Sequence, residues 1–142
     1  MSHFPAIPLR TAIYDRLTGN DGAGLEVETD VYVKGAVPTS ASAPYVKLDD
    51  PRTTGENYIG GAPHFSVRMD IKVHTRYAPG RADADERERI ANDVHASLSG
   101  TALQVEGHGT ADLLNPQKTP TPAYEIQGMR AYDLTLRYDL TL

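Results

Sequence analysis

The sequence predicts an α+β fold: a mostly antiparallel sheet with two helices packed on one face and long inter-strand loops. Three stretches carry this. From Phe65 to Val73, the apolar Phe65, Val67, Met69, Ile71 and Val73 alternate with Ser66, Arg68, Asp70 and Lys72. From Met129 to Leu142, Tyr132, Leu134, Leu136, Tyr138, Leu140 and Leu142 alternate with Asp133, Thr135, Arg137, Asp139 and Thr141. A period of two means a strand with one dry face and one wet face. Between them, Arg81 to Leu98 places Ile90, Val94 and Leu98 on one helical stripe, with Ala84 and Ala91 beside it.

The remaining elements follow in order. Pro8 to Thr18 reads as a first helix, with Leu9, Ile13 and Leu17 on one face and Arg10, Asp15 and Arg16 expected outside. The segment Thr18 to Gly24 is a mobile turn no helix survives. Leu25 to Val37 predicts a short strand region around Val31 and Val33, and Tyr45 to Leu48 a second strand. Asp49 to Pro63 is an unbroken set of turn formers, hence a long loop. The strand from Phe65 ends at the turn Tyr77-Ala78-Pro79-Gly80. In the second helix, Asp83, Asp85 and Glu86 suit the positive end of the dipole. Asp83/Arg87 and Asp85/Arg89 are spaced as i, i+4 pairs, and Gly100 is a natural stop. Thr101 to Val105 predicts another short strand. Glu106 to Gly128 reads as irregular, with Ala111 to Leu114 extended. The final alternation runs to the last residue, so no C-terminal tail is expected.

At 142 residues the chain predicts a single domain, 1–142, able to bury a core unaided. There are no cysteines, which excludes disulfides and thiolate metal sites. No apolar run reaches the ~20 residues of a membrane helix, and the first ten residues lack a signal-peptide pattern. Fourteen basic against 19 acidic side chains give a net charge of −5, which disfavours affinity for a phosphate backbone. It remains compatible with a protein that lets nucleic acid pass.

The search for chemistry yields no catalytic, cofactor-binding or metal-ligating set. His3, His64, His74, His95 and His108 show no H-x-x-x-H spacing. His74 falls on the polar face of its strand and His95 on the outer side of its helix, so both read as solvated. His108, between Gly107 and Gly109, reads as a turn residue. Asp49 and Asp50 are adjacent and point apart on a strand, which suits a turn better than a shared site. Asn20 to Gly24 lacks both the Lys-Ser/Thr of a phosphate loop and the spaced acids of a calcium loop. No serine stands in a G-x-S-x-G setting. These absences favour a binding or assembly role.

Four pieces of the chain resemble the tail terminator, or tail completion, proteins of long-tailed bacteriophages and gene transfer particles. They are the helix Leu9-Arg10-Thr11-Ala12-Ile13-Tyr14-Asp15-Arg16-Leu17; Val31-Tyr32, leading through Val37-Pro38 to Ala43-Pro44-Tyr45-Val46; His74-Thr75-Arg76-Tyr77 with Gly80-Arg81-Ala82-Asp83-Ala84 and the helix holding Ile90, Ala91, Val94 and Leu98; and the closing strand. The resemblance implies a non-enzymatic virion protein without cofactor. It would form a ring, usually a hexamer, at the head-proximal end of the tail. The ring would cap the tail tube, meet the head-side connector, and let DNA through its lumen without sequence-specific binding. No membrane is involved, and assembly would occur in the host cytoplasm. Another neck, connector or tail tube protein, a small enzyme with a scattered site, and a small-molecule binding domain are the alternatives at this point.

Within Asp49–Pro63, Arg52 and Glu56 are polar while Tyr58 and Ile59 are large and apolar with no strand to belong to. An exposed apolar pair in a polar loop is a common interface anchor. Arg52, Glu56, Tyr58 and Ile59 are therefore the expected assembly contacts.

Overall fold

The two alternating stretches form the two longest strands, and they pair with each other. In a computed structural model that describes residues 4–83 and 85–142, and only the backbone of Ile59 and Ala62, β4 (Ala62–Tyr77) runs antiparallel to β9 (Met129–Thr141). Their register runs from Ser66↔Thr141 to Tyr77↔Arg130. The expected helical position of Ala84 and the side chain of Ile59 lie outside the described residues.

This pair is the spine of a seven-stranded sheet. On the outer edge of β4, β2 (Tyr45–Leu48) covers residues 71–74 and β3 (Arg52–Ile59) covers 62–68. Beyond β2 lies β1 (Asp30–Val33), the one parallel pairing in this sheet among the described residues. On the outer edge of β9, β7 (Gln117–Pro120) and β8 (Tyr124–Ile126) pair successive segments. A separate hairpin joins β5 (Leu103–Val105) to β6 (Gly109–Ala111). The predicted α+β class with a mostly antiparallel sheet is thus what forms.

Helices α1 (Ala6–Thr18) and α2 (Glu86–Ser99) lie on one side of the sheet; α2 packs on β4 and β9, and α1 packs on α2, β1 and β5. The predicted stripes meet there. Leu9, Ile13 and Leu17 of α1 and Ile90, Ala91, Val94 and Leu98 of α2 share one core with Val67, Met69, Ile71 and Val73 of β4 and with Leu134, Leu136 and Tyr138 of β9. Each buried aliphatic side chain contributes about 1.5–3 kcal/mol.

Several local expectations are corrected. Asp49–Pro63 is not a loop: residues 52–59 form β3, and Gly60-Gly61 closes a two-residue hairpin with φ of 61° and 82°. Two successive positive φ values are what a type I′ turn needs, and glycine supplies them without a Cβ clash. Glu106–Gly128 likewise holds β6, β7 and β8, the last turned into β9 by Gln127-Gly128 at φ 51° and 74°. Leu25–Val37 shrinks to the four residues of β1, because Leu25 turns inward to the end of α2, where its side chain crowds Gly100. Gly100 itself stays right-handed (φ −66°, ψ −39°).

The expected i, i+4 ion pairs of α2 do not form. The helix begins only at Glu86, so Asp83 instead takes Arg89 at 2.7 Å and accepts from the backbone N–H of Asp85. Arg87 donates to the carbonyls of Thr121 and Asp133. Tyr77, at the end of β4, clasps this helix start by donating to Asp83 O and Glu86 Oε1; burial and the Glu86 carboxylate push its hydroxyl up to about 12.

Arg16 is the largest correction. It is 3% exposed, not outward. Its guanidinium donates to Asp21 Oδ2 and to the carbonyls of Ser97, Thr101 and Ala102, tying α1 to the end of α2 and the segment after it. The turn after α1 is accordingly pinned: Asp21 holds Arg16 at 2.6 Å and accepts from Ala23 N.

Candidate assembly surface

The side of the sheet opposite the helices carries the polar residues of the alternation. Because cross-strand neighbours share a face, the register assigns them directly. Asp70 faces Arg137, Arg68 faces Asp139, His74 faces Asp133, and Lys72 faces Thr135 on β4 and β9. Tyr45 and Lys47 of β2 join His74 and Lys72. Tyr124 of β8 joins Ala131.

Two of these pairs are ion pairs. Asp70 accepts two hydrogen bonds from Arg137, at 2.8 and 3.0 Å, and Arg68 donates to Asp139 at 2.9 Å. The first is bidentate, the stronger geometry for a guanidinium and a carboxylate. The hydrogen bonds from Arg137 hold the Asp70 carboxyl below its ordinary value of 3.8.

The centre of this face is buried, contrary to the expectation of a solvated His74. His74 and Asp133 are each 4% exposed. The rings of Tyr45 and Tyr124 flank His74, with centroids 4.9 and 6.5 Å away. Nδ1 of His74 lies 2.6 Å from Asp133 Oδ1, and Tyr124 Oη donates to Asp133 Oδ2 at 2.7 Å. Arg76 Nε donates to His74 Nε2 at 2.6 Å. Arginine is always charged, so Nε2 must accept; Nδ1 therefore carries the hydrogen and donates to Asp133. Both ring nitrogens and both carboxylate oxygens are then occupied by protein groups. The cluster thereby ties β4, β8 and β9 together. His95 is not outward either: its Nδ1 lies 2.9 Å from the hydroxyl of buried Tyr138, satisfying it. Burial alone pushes that hydroxyl's pKa up.

Burial pushes the Asp133 carboxyl up, but the hydrogen bonds from His74 and Tyr124 outweigh it, and the net direction is down from 3.8. Asp70 is also depressed. A carboxylate depressed in the folded state binds protons less readily than in the unfolded chain. Its stabilisation is complete above the unfolded value and is lost as pH falls through the folded one. The contribution of these two carboxylates is therefore lost only at acid pH, and urea midpoints should fall steeply below about pH 4. Asp70→Asn should flatten that acid limb; an unchanged limb would exclude Asp70 as a source of it.

The expected contacts lie on β3. Thr54 is an extra residue between the pairs Thr53↔Val67 and Gly55↔Ser66, and this bulge shifts the alternation by one. Arg52, opposite Arg68, is on the open face, whereas Glu56 and Tyr58, opposite Phe65 and Pro63, are on the other. The structure thus does not bring the predicted residues to one face. Tyr58 is 67% exposed, and its hydroxyl donates to Glu56 Oε1 at 3.0 Å. Only the β4 side of β3 is paired, which leaves its outer backbone edge open among the described residues.

Among the described residues no group of histidine and carboxylate side chains could hold a metal, and no helix is long and apolar enough to cross a membrane. Beside this geometry stands the likeness to known proteins. The family model described as tail completion protein gp17 matches residues 11–131. The chain belongs to that family. A tail completion protein is a structural part of a phage tail and not an enzyme. Among solved structures, a chain of the virion of a native gene transfer agent particle matches with a TM-score of 0.66 and 22% identity, over 99% of this chain and 100% of that one. A second solved chain matches with a TM-score of 0.57 and 16% identity over 94% of each. At these identities the likeness is one of fold. No curated protein matches this chain by sequence.

Proposed function

We propose that this protein is a tail terminator: residues 1–142 act as one unit, and copies close into a ring, a hexamer, that caps the tail tube at its head-proximal end and meets the head-side connector. The carrying observation is the family match over residues 11–131. The fold shared with a chain of a gene transfer agent virion supports it. In this reading the subunits assemble in the host cytoplasm, and DNA crosses the lumen without being read in sequence.

The hairpin β3–β4 is the proposed arm toward a neighbouring subunit or the tube. An open strand edge is a template for pairing unless something covers it, and Tyr58 offers exposed apolar area on the same arm. Sedimentation and negative-stain imaging of the purified protein should show ring particles several times 15.5 kDa. A protein that stays monomeric, both alone and with tube ends added, overturns the ring. Glu56→Ala/Tyr58→Ser should change the unfolding free energy by no more than about 0.5 kcal/mol, as exposed substitutions do. It should weaken ring formation or tail joining. Unchanged sedimentation together with full complementation of tail completion would remove the arm from the interface.

A further inference from the structure

The open sheet face is basic although the chain is acidic. It carries six of the 14 basic side chains, Lys47, Arg52, Arg68, Lys72, Arg76 and Arg137, but only Asp30, Asp49, Asp70, Asp133 and Asp139 of the 19 acidic ones. Four of those acids are engaged, with Lys47, with Arg137, with Arg68, and with His74 and Tyr124. The cations outnumber them, and two pairs of like charge stand directly opposite across the strands: Lys47↔Lys72 and Arg52↔Arg68. Such pairs destabilise a sheet. Lys72 and Arg52 have no ion-pair partner among the described residues, and Lys47 reaches only Asp49, at 3.8 Å. Lys47, Lys72 and Arg76 surround a notch of about 130 Å³ walled by Tyr45 and Tyr124 and floored by His74 and Asp133. The floor is fixed by its own hydrogen bonds, so the notch is a preformed cation-rimmed seat large enough for a carboxylate side chain.

The complement lies on the helix layer. Glu26, Glu28 and Asp93 line a groove of about 460 Å³ between α2 and the segment after α1. All three are exposed, and none has an ion-pair partner among the described residues. A chain with unmatched cations on one layer and unmatched carboxylates on the other is complementary to a second copy of itself in head-to-tail order.

We infer that the Lys47–Lys72–Arg76 notch of one subunit receives the Glu26–Glu28–Asp93 edge of the next. This contact is heterologous, since two different patches meet, and repeated with rotation it closes a ring. The inference rests on the ring reading above and names the surfaces that make it.

Charge reversal tests it. Lys47→Glu/Lys72→Glu and Glu26→Lys/Glu28→Lys/Asp93→Lys change exposed or half-buried side chains, and circular dichroism melts check that each variant is folded. Each alone should self-associate at least about tenfold more weakly than the parent, because like charges then meet. A one-to-one mixture should restore the parent's particle, since every interface in an alternating ring again pairs opposite charges. The parent's assembly should weaken with salt. Folded variants that each assemble like the parent, or a mixture that stays monomeric, overturn the docking and leave the ring reading standing. A monomeric parent overturns the ring reading and this one with it. Binding of a single-stranded oligonucleotide that is lost in Lys47→Glu/Lys72→Glu, with assembly untouched, would assign the face to phosphate and also overturn the docking.

Discussion

Arg16→Met is expected to lower the unfolding free energy by about 3–5 kcal/mol, the range for breaking a buried charged network by removing one member. Methionine keeps much of the stem volume, so the loss isolates the guanidinium. That group donates to the carbonyls of Ser97, Thr101 and Ala102 at 3.0, 3.1 and 3.2 Å, and to Asp21 at 2.6 Å. Ser97 is in the last turn of α2, where carbonyls lack helical partners. A carbonyl buried without a partner costs about 1–3 kcal/mol. Against a total stability of about 5–15 kcal/mol for a native domain, the change is large. The urea midpoint should fall with an unchanged slope. Arg16→Lys should recover only part of the loss, because one ammonium cannot present a planar fork to three carbonyls. A midpoint within the error of the parent's would mean that water satisfies these carbonyls and that Arg16 does not join the two helices.

The core was legible because its periods are clean. Residues 65–73 and 132–142 alternate without a break, and those two strands became the spine. Arg16 shows where residue type misleads: it lies three after Ile13 and seven after Leu9, squarely on the apolar stripe. The period already placed it inside, and only its charge argued otherwise. His74 was hidden for another reason. Its partner Asp133 lies 59 residues away, and its cover, Tyr45 and Tyr124, comes from two other strands, so its burial depends on register that no local pattern encodes. Strand β3 has polar side chains on both faces and therefore no hydrophobic period. The usable signal was Gly60-Gly61 between two strand-length runs, the mark of a two-residue hairpin. The basic character of the open face was equally invisible, since it needs the register of β2, β3, β4 and β9 together, and the summed charge of −5 points the other way.

Deleting residues 136–142 is expected to abolish the folded state. The cut removes the pairs from Ser66↔Thr141 to Ile71↔Leu136, half of the spine's register. It also removes both backbone bonds between Phe65 and Leu142 and the support of β7 at Arg137 and Leu136. Leu136, Tyr138, Leu140 and Leu142 leave the core with it. At about 1.5–3 kcal/mol each, these four side chains contribute roughly 6–12 kcal/mol, as much as the whole domain has to lose. The remaining β4 would then expose Val67 and Met69 along an unpaired edge, a template for aggregation. The truncated chain should be recovered as insoluble protein or without a cooperative melt. Deleting only Thr141 and Leu142 provides the graded control: one buried leucine and one strand end are lost, and the protein should stay folded with a lower midpoint. A soluble, cooperatively melting chain ending at residue 135 would show that β9 is not the strand on which the sheet depends.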